Sequence, residues 1–162
     1  MITKKDLVYL KQTIVLAKKS LSEGDEPFGS ILVLDDKILY EGHNQVSSGD
    51  YTRHPEFEIA KWSANNLTKE EIKRAIVYTS NEHCPMCAAA HGWVGLGKIV
   101  YAVSGKQLKR WMKSWYQEES PVNYFPIKKI INNVHVVGPV KELEQEIKKL
   151  HYQSLDSKKL LQ

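Results

Sequence analysis

Residues 75–103 read AIVYTSNEHCPMCAAAHGWVGLGKIVYAV, and this stretch decides the fold class. Ala75–Ser80 is a short β-branched and aromatic run, the composition of a strand. Cys84–Val94 reads as a helix stopped by Gly95 and Gly97, and Ile99–Val103 as a second strand. Strand, helix and strand in succession point to an α/β domain.

Working outward, Lys4–Ser22 carries Leu7, Leu10, Ile14 and Leu21 at helical spacing, and Ser22-Glu23-Gly24-Asp25-Glu26-Pro27 stops it. Ile31–Leu34 and Ile38–Tyr40 flank Asp35-Asp36-Lys37 as a hairpin. A polar loop from His43 to Arg53 leads into a helix over about His54–Asn65, whose first turn suits Pro55 because the missing N–H costs nothing there. Beyond Val103 the expectations are a helix around Lys106–Tyr116, a loop with Pro121 and Pro126, a strand at Val134–Val137 and a final helix from Val140. The sum is a three-layer α/β domain of about five strands flanked by helices, one domain over 1–162 with 140–162 as a helical extension.

Composition narrows the function classes. The chain has 162 residues, 42% hydrophobic and 26% charged, as expected of a globular domain. Apolar runs such as Ile31–Leu34 are too short to span a membrane, and the N-terminal residues lack a signal peptide's apolar core, so the expected location is the cytoplasm. The net charge of +4 comes mostly from lysines interleaved with acids, as in Lys141–Lys149, which is not the clustered basic stripe of a nucleic-acid surface. The two cysteines, Cys84 and Cys87, stand three apart, too few and too close for a disulfide framework.

Cys84 and Cys87 at the start of a helix share one face, where the helix dipole favours thiolates. His54 opens another helix and supplies a third ligand. Three protein ligands and one open position describe a catalytic zinc site, and a structural site would be closed by a fourth; His43, His83 and His91 are the available closers. Glu56, two residues after His54, is placed to aim a carboxylate into the same cavity without binding metal. A metal that acidifies water beside a proton-carrying carboxylate is hydrolytic machinery. A thioredoxin-like redox pair would need no H-x-E partner, and a zinc-stabilised scaffold would tolerate loss of Glu56.

With His54-Pro55-Glu56 upstream of Pro85 and the Cys84-Pro85-Met86-Cys87 run, the chain resembles the cytidine deaminase superfamily, whose signature is H-x-E followed by P-C-x-x-C. Glu26-Pro27-Phe28-Gly29, Gly42-His43-Asn44, Tyr78–Cys87 and Lys98-Ile99-Val100-Tyr101 are similar to its branch of guanine, guanosine and tRNA adenosine deaminases. The resemblance implies a three-layer α-β-α fold with a central mixed sheet and one zinc per chain on His54, Cys84 and Cys87. It implies Glu56 as proton shuttle and Asn44 as a hydrogen-bonding contact to the base. Phe28, Ala88 and Trp93 match residues near the family's pocket, and homodimers are common. His83 stands where the family has proline, Pro55 replaces a small residue, and His91-Gly92 replaces apolar or aromatic ones; His83 is therefore a further candidate substrate contact.

The expected reaction is hydrolytic deamination of a free nucleobase or nucleoside, guanine-like first, by a homodimer with no membrane partner. The alternative is a tRNA-specific adenosine deaminase acting on an anticodon loop, for which the basic and aromatic Lys109–Tyr116 segment is the candidate surface. The final helix is expected to reach over a pocket, with His151 and Tyr152 as lid residues.

Overall fold

The structure is a computed structural model that describes residues 1–115 and 120–159. Tyr116 and residues 160–162, part of two expected helices, lie outside the described residues. The order is α1 (Lys4–Ser22), β1 (Gly29–Leu34), β2 (Lys37–His43), α2 (Pro55–Asn66), α3 (Lys69–Arg74), β3 (Ile76–Asn81), α4 (Pro85–Val94), β4 (Lys98–Val103), α5 (Gly105–Trp115), β5 (Val136–Val137) and α6 (Glu144–Lys159). The sheet runs β2-β1-β3-β4-β5; β1 is antiparallel to β2 and β3, whereas β3, β4 and β5 are parallel. This is the mixed five-stranded sheet expected from the sequence.

Period-two alternation divides the core between two faces. Ile31, Val33, Tyr78, Val100 and Ala102 pack beneath α1, α5 and α6 through Leu10, Ile14, Ala17, Leu108, Trp111, Ile147 and Leu150. Leu32, Leu34 and Val77 pack beneath α2 and α3 through Ile59, Ala60 and Ile72. Every residue of β1 is buried, as a strand covered on both faces must be.

Local chemistry sets the element ends. Thr3 and Asp6 form a capping box at the start of α1, and the Asp6 carboxylate also accepts the Tyr78 hydroxyl at 2.7 Å. Asp35 and Asp36 take positive φ in the two-residue turn of the β1–β2 hairpin. Gly29 lets α1 lie directly on the start of β1: a Cβ there would meet the Thr13 carbonyl oxygen and sit 2.6 Å from the Leu16 Cβ.

Two differences from the sequence reading have local causes. The helix α3 carries a single buried apolar residue, Ile72, and no apolar stripe; its signal is the Thr68–Glu71 capping box. The strand expected over Val134–Val137 contracts to Val136–Val137, with Asn133 at φ 57 just before it. Among the described residues no helix is long and apolar enough to cross a membrane.

Candidate metal centre

At one end of the sheet, two helix starts face each other. His54 is the N-cap of α2 and Cys84 the N-cap of α4; Pro55 and Pro85 follow as first helical residues. Cys87 lies one turn into α4 and is fully buried. His54 Nδ1 is 3.6 Å from each sulfur, and the sulfurs are 3.5 Å apart. Tetrahedral zinc with ordinary bond lengths requires edges of about 3.6 Å between nitrogen and sulfur and about 3.8 Å between sulfurs. The residues present therefore fit zinc.

Among the described residues no fourth histidine, cysteine or carboxylate joins this group. None of the three candidate closers joins it. His43 contacts the Asn44 carbonyl and Glu23, and His91 Nε2 is 3.1 Å from the Gly97 carbonyl. His83 packs its ring on His91, centroids 5.3 Å apart, and both of its ring nitrogens are buried without a partner. The centre keeps the open position that hydrolytic chemistry needs.

The donor set is electrostatically ready for a cation. The hydrogen bond from Cys87 brings the Cys84 thiol down to about 4, against burial and with help from His54. The same hydrogen bond, then burial, pushes Cys87 up. Burial lowers His54, but the Cys84 hydrogen bond and the charges of Glu56, Cys84 and Glu26 outweigh it and leave the imidazole raised. Thiols and imidazolium surrender these protons to a metal.

Glu56, in the first turn of α2, is 6% exposed. Its Oε1 lies 2.6 Å from the Thr79 hydroxyl and 2.9 Å from the Ser30 hydroxyl, and these two hydroxyls are 2.8 Å apart. Burial raises the Glu56 carboxyl above the ordinary carboxylate range, and the Thr79 hydrogen bond and the charge of His54 pull the other way. Ser30 and Thr79 are register partners across β1 and β3, so the sheet itself fixes the carboxylate. Neither hydroxyl is singled out by the sequence reading; the signals that mark them are the polar run Thr79-Ser80-Asn81 closing one buried strand and the lone polar Ser30 in another.

The other expected contacts fall out differently. Asn44 is fully buried at the end of β2, its Oδ1 accepting the Val46 N–H at 3.1 Å and its Nδ2 unpartnered. The Phe28 carbonyl accepts the Asn44 N–H, and the Phe28 ring meets His151 edge-on at 5.0 Å. Ala88, fully buried, packs with Ile99, Tyr101 and Ile127, and its N–H bonds the Cys84 carbonyl. Trp93 stands apart: six residues past Cys87, it points away from the cysteine face of α4 and is 91% exposed. His83 is held against His91 as described.

The enclosure comes from the C-terminal third. Glu82 accepts the N–H groups of Gly105 and Ile127, tying α5 and the 120–127 loop to the end of β3. In that loop Tyr124 is pushed up to about 12, by burial first and then by the charges of Cys84, Glu26 and Glu56. From α6, His151 reaches Asn81 Oδ1 at 3.3 Å and is 1% exposed. Tyr152, its neighbour, instead meets Trp115 at 5.3 Å and is half exposed.

Residues 3–103 match the model of the cytidine and deoxycytidylate deaminase zinc-binding region. The chain is 32% identical over 149 residues to a probable cytosine deaminase of Schizosaccharomyces pombe, an alignment spanning 88% of this chain and 89% of the relative. It is 35% identical over 96 residues to the guanine deaminase of Bacillus subtilis, spanning 58% and 62%. It is 30% identical over 97 residues to that organism's tRNA-specific adenosine deaminase, spanning 59% and 60%. In structure, a guanine deaminase from Nitrosomonas europaea superposes with a TM-score of 0.67 at 16% identity, covering 95% of this chain and 85% of that one.

Proposed function

The chain belongs to the cytidine and deoxycytidylate deaminase family, whose members are zinc-dependent hydrolytic deaminases, and on that footing we propose that it deaminates a free nucleobase or nucleoside, guanine first. The observation that carries the reading is closure of the site. Asn44, Asn81 and His151 are buried around it, which suits a small ring better than a nucleotide splayed out of a loop. The rival on tRNA needs exposed aromatic side chains beside the basic ones. In Lys109–Trp115 the basic residues Lys109, Arg110 and Lys113 are exposed, but Trp111 is 4% exposed and Lys148 lies over both Trp111 and Trp115. A second reading, cytosine, is favoured by the Schizosaccharomyces pombe relative, which aligns over most of both chains.

The reaction exchanges a ring C–NH₂ for a ring carbonyl, consuming water and releasing ammonia. His54, Cys84 and Cys87 would hold zinc, which supplies the Lewis acidity that makes water nucleophilic at neutral pH. Glu56 takes one proton from the attacking water and delivers it to a ring nitrogen, then carries the proton of the newly attached hydroxyl to the departing amine as the C–N bond breaks and the ring carbonyl forms. Its raised pKa suits a group that must both accept and donate near neutrality. The Ser30 and Thr79 hydroxyls hold the carboxylate in place through these transfers. Asn44, whose Nδ2 is buried without a partner, supplies an amide donor for the ring. The proposal includes a homodimer, supported by the large exposed side chains of Trp93 and Tyr51, and sedimentation of the purified chain tests it.

The deciding experiment follows ammonia release by the zinc-loaded protein from guanine, guanosine, cytosine, cytidine, adenine, adenosine and a tRNA anticodon stem-loop. Guanine is the expected substrate. Glu56→Ala should keep its zinc and lose roughly 10³-fold in rate. Release from the stem-loop alone would overturn the small-molecule reading.

A further inference from the structure

Two buried amides at the site share a feature. In each, the carboxamide oxygen is engaged and the NH₂ group is not. Asn44 Oδ1 accepts the Val46 N–H, so its Nδ2 is free, and the side chain is 0% exposed. Asn81 Oδ1 faces His151 Nε2 at 3.3 Å, its Nδ2 has no partner, and it is 2% exposed. Buried donors are nearly always paired in native structures, so two orphans on either side of Phe28 call for a ligand.

The topology places both at the same end. Gly29 pairs with His43 and Ser30 with Thr79, which brings Asn44 and Asn81 to the flanks of the β1 start. The Thr79 hydroxyl that holds Glu56 is also 2.9 Å from the Asn81 carbonyl. Phe28 bridges the two, binding the Asn44 N–H through its carbonyl and meeting His151 with its ring.

We propose that Asn81 determines specificity: with Asn44 it presents two N–H donors to a ring carbonyl oxygen of the substrate, and His151 is the positioning residue that turns its amide inward. The inference rests on the deaminase reading and narrows it. The site takes amino-substituted rings that also carry an oxo group, as guanine and cytosine do, and rejects adenine-type rings. A carbonyl oxygen has two lone pairs for two donors, whereas a C–H in its place leaves both donors buried and unpaired. His151 accomplishes this from a distance in sequence: its Nε2–H engages Asn81 Oδ1 and leaves only the unpartnered NH₂ for a ligand.

The test pairs each base with its analogue lacking the carbonyl: guanine with 2-aminopurine, and cytosine with 4-aminopyrimidine. Wild type and Asn81→Leu are compared on each pair, with zinc content and Tm monitored; Asn81→Asp, of the same shape, serves if the leucine variant does not fold. The variant is expected to lose roughly 100-fold in kcat/KM on the oxo ring and under about 3-fold on its partner. His151→Leu should lose about 10-fold on the oxo ring alone, mostly in KM, and His151→Gln, which keeps an N–H donor, should restore it. Equal losses on both rings would make Asn81 merely structural and overturn the proposal. If wild type turns over neither oxo base, the reading of the substrate fails; calorimetric binding of hypoxanthine and uracil, which needs no turnover, then decides the amide pair. Binding that Asn81→Leu abolishes upholds it, and no binding to wild type overturns it.

Discussion

The Thr79 hydroxyl lies 2.6 Å from Glu56 Oε1, so a buried carboxyl on a helix is held by a strand. That hydrogen bond favours the ionised carboxylate and partly offsets the upward push of burial. Thr79→Val keeps the shape and removes the donor. The Glu56 pKa should rise further, moving the acid limb of the kcat/KM profile to higher pH, and kcat should fall about tenfold or more. An unmoved acid limb would detach Thr79 from the proton transfer.

The metal trio predicts a stability effect separable from catalysis. A ligand that binds only the folded chain stabilises it in proportion to its affinity and concentration. Chelation of zinc should therefore lower Tm and abolish ammonia release, and readdition should restore both. Cys87→Ser should bind less than one zinc per chain by elemental analysis while Glu56→Ala binds a full equivalent. Equal zinc in both variants would place the ion elsewhere.

Buried histidines set an acid limit, and burial lowers His83 as it does His91 and His151. Burial lowers His151 to about 3 and His91 to about 4, below the unfolded value of about 6.5. Both are neutral in the native state, so the unfolded chain binds more protons as pH falls. Their contribution is complete above pH 6.5 and is lost progressively down to about 4 and about 3. For His91 alone the loss by pH 4 is roughly 3 kcal/mol. The urea midpoint should fall between pH 7 and 4, and His91→Gln, which still offers an N–H to the Gly97 carbonyl, should shrink that fall. An unchanged fall would assign the acid sensitivity to other groups.

Gly29→Ala should be costly despite its small size. The new methyl would meet the Thr13 carbonyl oxygen and the Leu16 Cβ, neither of which can swing aside. A loss of about 1–3 kcal/mol is expected from urea unfolding. A neutral result would mean that α1 shifts freely on the sheet.

How legible all this was depends on the range of the interaction. The metal trio could be read because His54 and Cys84 each open a helix beside a proline, Cys87 follows one turn on, and the three belong to two short motifs. The hairpin, α1 and the β3–α4–β4 unit could be read because apolar spacing is a local signal. The helix α3 escaped because one buried isoleucine makes no stripe. Trp93 was placed near the pocket by resemblance alone, whereas its angular position on α4 puts it outside. The His151–Asn81 contact joins residues separated by 70 positions, and no periodicity encodes such a pairing. The final helix was expected to cover a pocket, yet only the docking of Ile147 and Leu150 into the core decides that His151 rather than Tyr152 turns inward.

The pairing of Ser30 with Thr79 has one more consequence. Because side chains alternate along a strand, a slip of one residue between β1 and β3 in either direction would break the Ser30–Thr79 pair and turn one of the two hydroxyls away from Glu56. Turnover therefore requires the native β1–β3 register, so a chain that folds with these strands slipped is expected to be inactive even where its zinc ligands are intact.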